Sequence, residues 1–107
     1  MARSPEYSLV FAPATQSHLG WIERKYHGLI QREIDEQLTW TPLKETRNRK
    51  PLERPVPFGA TWELRFGSGN RFRVFYEVDE AEHTVWVLAI GVKERNQLFV
   101  GGKEFDT

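Results

Sequence analysis

Residues 62–76 read WELRFGSGNRFRVFY, and this stretch decides the fold. Two runs of alternating apolar and polar residues flank Gly67-Ser68-Gly69, the pattern of a β-hairpin. Folding it about Gly69 aligns Phe66 with Phe72, Leu64 with Val74 and Trp62 with Tyr76 on one face. The same register sets Arg65 opposite Arg73 on the other face. Like charges directly opposite on a sheet are destabilising, so two arginines there need a reason.

A third strand follows. Thr84 to Ile90 (TVWVLAI) is β-branched, aromatic and nearly all apolar, the composition of a central strand covered on both faces. Asp79 to His83 is the polar turn before it, and Gly91 ends it. If Tyr76 pairs with Trp86, then Trp86, Leu88 and Ile90 join the Leu64 face, and Leu64, Val74 and Leu88 share one core layer. The arginine face is then less covered and open to a ligand. Phe75 falls on that face, where it could stack on an unpaired base or pack under the N-terminal strand.

Upstream, Tyr7 to Phe11 (YSLVF) reads as a short first strand. From Ala14 to Leu38 the period becomes helical. Leu19, Ile22, Tyr26, Ile30, Ile34 and Leu38 form one apolar stripe, and Thr15 or Ser17 could supply the N-cap. Gly20 and Gly28 each weaken a helix by about 1 kcal/mol relative to Ala, so one long helix and two consecutive ones both fit. Leu43 to Ala60 carries three prolines and cannot form a central strand. Leu98-Phe99-Val100 is a short apolar segment before a Gly101-Gly102 turn. The order is that of an α+β fold. An N-terminal strand and one or two helices pack on a twisted, mostly antiparallel sheet, and residues 1–107 form a single domain.

Hydrophobic residues make up 39% of the chain and there is no cysteine, which excludes disulfides and thiolate metal sites. His18, His27 and His83 lack metal-ligand spacing, and no cofactor loop is present: Gly67-Ser68-Gly69 lies in a hairpin, not between strand and helix. No run has the length of a signal peptide core or a membrane span. These features predict an intracellular protein without metal or cofactor. Net charge is zero, but its distribution is uneven. Thr41 to Phe75 holds eight basic and three acidic residues, whereas Tyr76 to Thr107 holds three basic and seven acidic. The basic set comprises Arg47, Arg49 and Lys50 in the connector, Arg65, Arg71 and Arg73 in the hairpin, and Lys93 and Arg95 beyond the third strand. Such a cluster either pairs internally with Glu63, Glu77 and Glu94 or binds an external anion, for which guanidinium is well shaped.

The run NRKPL…TWELRFGSGNRFRVFYEVD…VWVLAIGVKERNQLFVGG resembles the RelE/ParE superfamily of bacterial toxins from toxin–antitoxin modules, over about Tyr7 to Gly102. The resemblance implies a RelE-like fold, a cognate protein antitoxin as partner and a cytoplasmic setting. It implies one of two targets. RelE-like and HigB-like members cut mRNA in the ribosomal A site, the 2′-hydroxyl attacking its neighbouring phosphate. ParE-like members poison DNA gyrase and need no nuclease site. A relative that only docks an antitoxin is a third possibility. On the nuclease pattern Arg65, Arg73, Lys93 and Arg95 fall on catalytic positions, and Arg47, Arg49, Lys50 and Arg71 would contact RNA. Two positions depart from RelE: Glu63 stands where RelE has a lysine, and Phe99 where it has a functional tyrosine. Phenylalanine transfers no proton, so either another group acts as base, with His83 a formal candidate at the far end of the third strand from Lys93, or neutralisation of the phosphate charge carries most of the rate.

Overall fold

In the computed structural model, which describes residues 6–105, the chain runs β1 (Ser8–Phe11), α1 (Ala14–Gly20), α2 (His27–Leu38), β2 (Arg49–Pro51), β3 (Trp62–Phe66), β4 (Phe72–Asp79), β5 (Thr84–Glu94), β6 (Gln97–Val100) and β7 (Lys103–Phe105). Strands β2 to β7 form an antiparallel meander in sequence order. β1 lies parallel to the first half of β5, whose second half pairs with β6. No described helix is long and apolar enough to cross a membrane.

The hairpin takes the expected register, with Trp62 opposite Tyr76, Leu64 opposite Val74, Phe66 opposite Phe72 and Arg65 opposite Arg73. The loop returns through Gly67 and Gly69, both at positive φ. A Cβ at Gly67 would lie 2.8 Å from the Phe72 ring, so that position requires glycine.

The helical stretch resolves into two helices. α1 stops at Gly20, a single 3₁₀ turn covers Arg24–Tyr26, and α2 restarts at His27. The break is stitched by the His27 Nε2–H, shared between the carbonyls of Leu19 and Ile22 at 2.9 Å each. Neither Thr15 nor Ser17 caps α1: Thr15 lies inside the helix and its hydroxyl donates to the Ala12 carbonyl. Ile22, Ile30, Ile34 and Leu38 of the stripe are buried against Leu64, Phe66, Phe72, Val74 and Tyr76, and Leu19 and Tyr26 are partly buried beside them.

Three expectations are corrected. Gly91 does not end the third strand: β5 continues to Glu94. A Cβ at Gly91 would lie 3.0–3.1 Å from atoms of Leu98, Phe99 and Val100, so the glycine lets β6 close against β5. The second correction is a bulge. Phe75 faces Ala89 but Tyr76 faces Val87, which makes Leu88 an extra residue. A one-residue slip turns every following side chain over. Val85 and Val87 therefore join the Leu64 core, while Trp86 stands 42% exposed and Leu88 packs on the opposite side. The third concerns that opposite side, which is not bare. Ala60, Phe75, Ala89 and Leu98 form a second core there, covered by Leu52, Val56 and Phe58 of the connector and by Phe105. Phe75 packs within 5.2 Å of Phe58 and 5.6 Å of Phe105, ring centre to ring centre, rather than under β1 or open to a base.

Tyr76 ties the connector to the core. Its hydroxyl, fully buried, donates to the Pro42 carbonyl at 2.7 Å. Burial pushes this phenol well above its ordinary range. A raised folded-state value means the unfolded chain gives up the proton first, so the stability Tyr76 contributes is present below about pH 10 and falls as pH rises beyond it. Tyr76→Phe is expected to cost about 1–3 kcal/mol at neutral pH by stranding the Pro42 carbonyl. It should also flatten the loss of stability above pH 10. Urea midpoints for both proteins between pH 7 and 11 check both effects.

Candidate nucleic-acid interface

Strand alternation distributes the basic residues over both sides of the sheet. Lys50 is registered with Glu63, Arg65 with Arg73, and Arg73 with Gly91, two residues before Lys93. Lys50, Glu63, Arg65, Arg73 and Lys93 therefore share the second face, beside the connector-covered core. A groove of about 800 Å³ opens there, with Lys50, Arg54, Glu63 and Arg65 among its walls and Glu104 and Phe105 on the far side.

Glu63 organises this group. It is 4% exposed and lies two residues before Arg65 on the same strand face. Its Oε1 accepts the Arg65 Nε–H at 2.6 Å, and its Oε2 lies 3.7 Å from Arg73 Nη1. One carboxylate thus bridges the two opposed guanidiniums, which explains how the sheet tolerates the pair. The Arg65 side chain remains 37% exposed, with Nε taken by Glu63 and its Nη edge free of described protein acceptors. Arg73 is nine-tenths buried, and its Nε has no partner among the described residues. Burial, and after it the neighbouring Arg65, holds Arg73 below the usual guanidinium range, with Glu63 pulling it back. Lys50 is exposed and Lys93 half-buried.

The other expected residues are elsewhere. Arg71 lies on the helix side, its guanidinium 4.8 Å over the Tyr26 ring and bonded to the Tyr26 hydroxyl and to Glu94. Those contacts, the Glu94 hydrogen bond foremost, raise its affinity for the proton. Arg95 sits in the two-residue β5–β6 turn at φ 52°, facing α1 and Phe99 across a separate cavity. Arg47 is exposed just before β2. Arg49 is not a surface cation: registered with Leu64, it points under the helices and is 7% exposed. Its Nη1 donates to the Gln37 and Thr41 carbonyls and the Thr41 hydroxyl at 2.6–2.9 Å, fixing the end of α2 to the sheet edge. His83 packs on Tyr7 at the opposite end of β5. Of the acids weighed for internal pairing, Glu63 and Glu94 form ion pairs, whereas Glu77 makes none among the described residues.

Arg49 and Lys50 are neighbours in sequence with opposite expected roles. Arg49→Ala should destabilise the fold by about 2–4 kcal/mol, because three acceptors in partly buried hydrogen bonds lose a charged donor. Lys50→Ala should leave stability within about 0.5 kcal/mol. Thermal or denaturant unfolding of the two variants separates them.

The sequence signalled the hairpin arginines and offered Glu63 among their possible internal partners, but not that its one carboxylate would bridge both of them. Arg54 and Glu104 were not singled out either, because only folding of the connector and of β7 brings them beside Arg65.

These features define a class of architecture: two helices on one side of a twisted, mostly antiparallel sheet, with a charged groove on the other. Within that class the protein has a RelE-like fold. A chain of the toxin–antitoxin complex RelBE2 from Mycobacterium tuberculosis superposes with a TM-score of 0.67 over 82% of this chain and 92% of that one, at 23% sequence identity. No protein-family profile matches the chain, and no curated protein gives a significant match.

Proposed function

We propose that the protein is the toxin of a toxin–antitoxin pair and acts in the cytoplasm by cutting mRNA on the ribosome. The fold shared with a chain of a toxin–antitoxin complex supports the first part. The observation that carries the second is the free Nη edge of Arg65 at the groove, with Lys50, Arg73 and Lys93 on the same sheet face and Glu63 bridging the two arginines; Glu53 and Glu104 also line the groove. In this reading an RNA phosphate sits against the free Nη edge of Arg65. The 2′-oxygen bonds to phosphorus, the 5′-oxygen leaves, and the guanidinium meets the charge that grows on the phosphoryl oxygens. Lys50 and Lys93 hold the backbone on either side by sequence-independent attraction. A small acidic antitoxin would cover the same cations.

A second reading, binding and inhibition of DNA gyrase, has its own observation. The described histidines and tyrosines lie away from this face, and Phe99 faces the helices, so no described histidine or tyrosine reaches the groove, whose carboxylates are Glu53, Glu63 and Glu104. In the nuclease reading the rate then comes from orientation and charge neutralisation. Purified protein on programmed ribosomes, with mRNA ends mapped, tests the first reading, and a parallel gyrase supercoiling assay tests the second. A-site cleavage with normal supercoiling is the expected result. Intact mRNA with blocked supercoiling replaces the first reading by the second.

A further inference from the structure

On the helix side of the sheet, away from the Arg65 groove, lies a second cavity of about 480 Å³, within the size range of small-ligand sites. It is walled by the end of α1, the β5–β6 turn and the Gly101-Gly102 turn.

Three of its side chains have contacts that fix what they can offer. Trp21 is 66% exposed, yet its position is set. A Cβ at Gly102 would fall 2.7 Å from the ring, so the indole lies directly on bare backbone, at a residue whose φ of +80° already requires glycine. His18 accepts the Ile90 N–H at Nδ1, 3.2 Å away. Accepting there requires a neutral ring with its proton on Nε2, and burial pushes the imidazole down in the same sense. Nε2–H is then a fixed donor with no protein acceptor among the described residues. Arg95 is the free cation at the rim. The adjacent acid, Glu94, is paired with Arg71, and Arg95 makes no ion pair among the described residues. Gln97 adds an amide, and Phe99 an aromatic wall.

An exposed aromatic plane, a neutral donor and an unpaired guanidinium around one cavity match a flat ring that carries acceptor atoms and an anion. We propose that this cavity binds a nucleotide, its base against Trp21, a base acceptor atom at His18 Nε2–H and its phosphate at Arg95. Stacking on an aromatic side chain tolerates every base, so the site would discriminate weakly among the four. The proposal does not rest on mRNA cleavage, because the cavity and the Arg65 groove lie on opposite sides of the sheet.

Titration with the 5′-monophosphates of adenosine, guanosine, cytidine and uridine, read by tryptophan fluorescence, tests it. Saturable quenching is expected in the wild type and its loss in Trp21→Leu. Arg95→Ala should weaken each monophosphate at least tenfold and leave the much weaker binding of adenosine itself unchanged. Both substituted residues are exposed, and circular dichroism checks that the variants are folded. The proposal is overturned by absence of saturable quenching with all four nucleotides, by undiminished quenching in folded Trp21→Leu, or by an equal response to inorganic phosphate. A protein partner that shields Trp21 while no nucleotide binds also overturns it, by assigning the cavity to a protein contact.

Discussion

Arg65→Ala is expected to lower mRNA cleavage on programmed ribosomes by about 10²–10³-fold, the usual cost of removing one donor aimed at developing charge. The protein should stay folded, since the side chain is 37% exposed and Glu63 keeps Arg73 as a partner. The loss should fall on kcat rather than on ribosome affinity, because the Nη edge meets charge that is largest in the transition state. Lys50→Ala and Lys93→Ala should show the opposite split, with weaker binding and a shallower salt dependence. Arg73 differs again. Nine-tenths buried and held to Glu63, it acts on the groove by setting where that carboxylate holds Arg65. Arg73→Ala should therefore reduce cleavage and stability together, whereas Arg65→Ala reduces cleavage alone. Single-turnover cleavage, ribosome binding and unfolding midpoints for the four variants make the comparison. Wild-type kcat in Arg65→Ala would remove Arg65 from the site.

The hairpin register was readable because each alternation has a partner at matched distance from Gly69, and turn chemistry and apolar pattern agree. Two things were not readable. The extra residue at Leu88 leaves no local mark, since Val85 to Ile90 is apolar on both parities and either set could face the helices. The outcome depends on the layer beneath Ile34, Leu38 and Tyr76, which takes two valines in place of an indole. The cover on the second face was hidden by the connector's prolines, which exclude a central strand but say nothing against Leu52, Val56 and Phe58 lying over Phe75. The candidate site was readable in part for the same reason. Arg65 and Arg73 share a face by alternation within one hairpin, a local rule. Arg49 and Lys50 differ in fate because β2 is a sheet edge whose alternation sends one side chain under the helices and the other to the groove, a matter of tertiary placement. Arg71 and Arg95 follow the helix side of the same strands and so lie away from the cluster they accompany in sequence.

Glu63→Gln is expected to be the most disruptive single substitution on the second face. It keeps the shape of the side chain and removes the one negative charge between two guanidiniums that the backbone register holds directly opposite each other. Removing one partner from a buried ionic group costs about 3–5 kcal/mol, since the remaining charges stay buried without compensation. The repulsion between Arg65 and Arg73 adds to that cost in a site largely shielded from salt. The double variant Glu63→Gln with Arg73→Met should recover most of the loss, because it removes the second buried charge along with its partner. Stability and nucleic-acid affinity should move in opposite directions. With Glu63 neutral, one guanidinium charge on this face is no longer offset, and the log–log salt dependence of single-stranded RNA binding should steepen by about 0.7. Guanidinium unfolding curves and salt-titrated RNA binding measure the two. If Glu63→Gln unfolds at the wild-type midpoint, the carboxylate is not what allows two arginines to face each other across the hairpin. If it is destabilised but binds RNA no more strongly, the cations of this face are not the ones that meet phosphate.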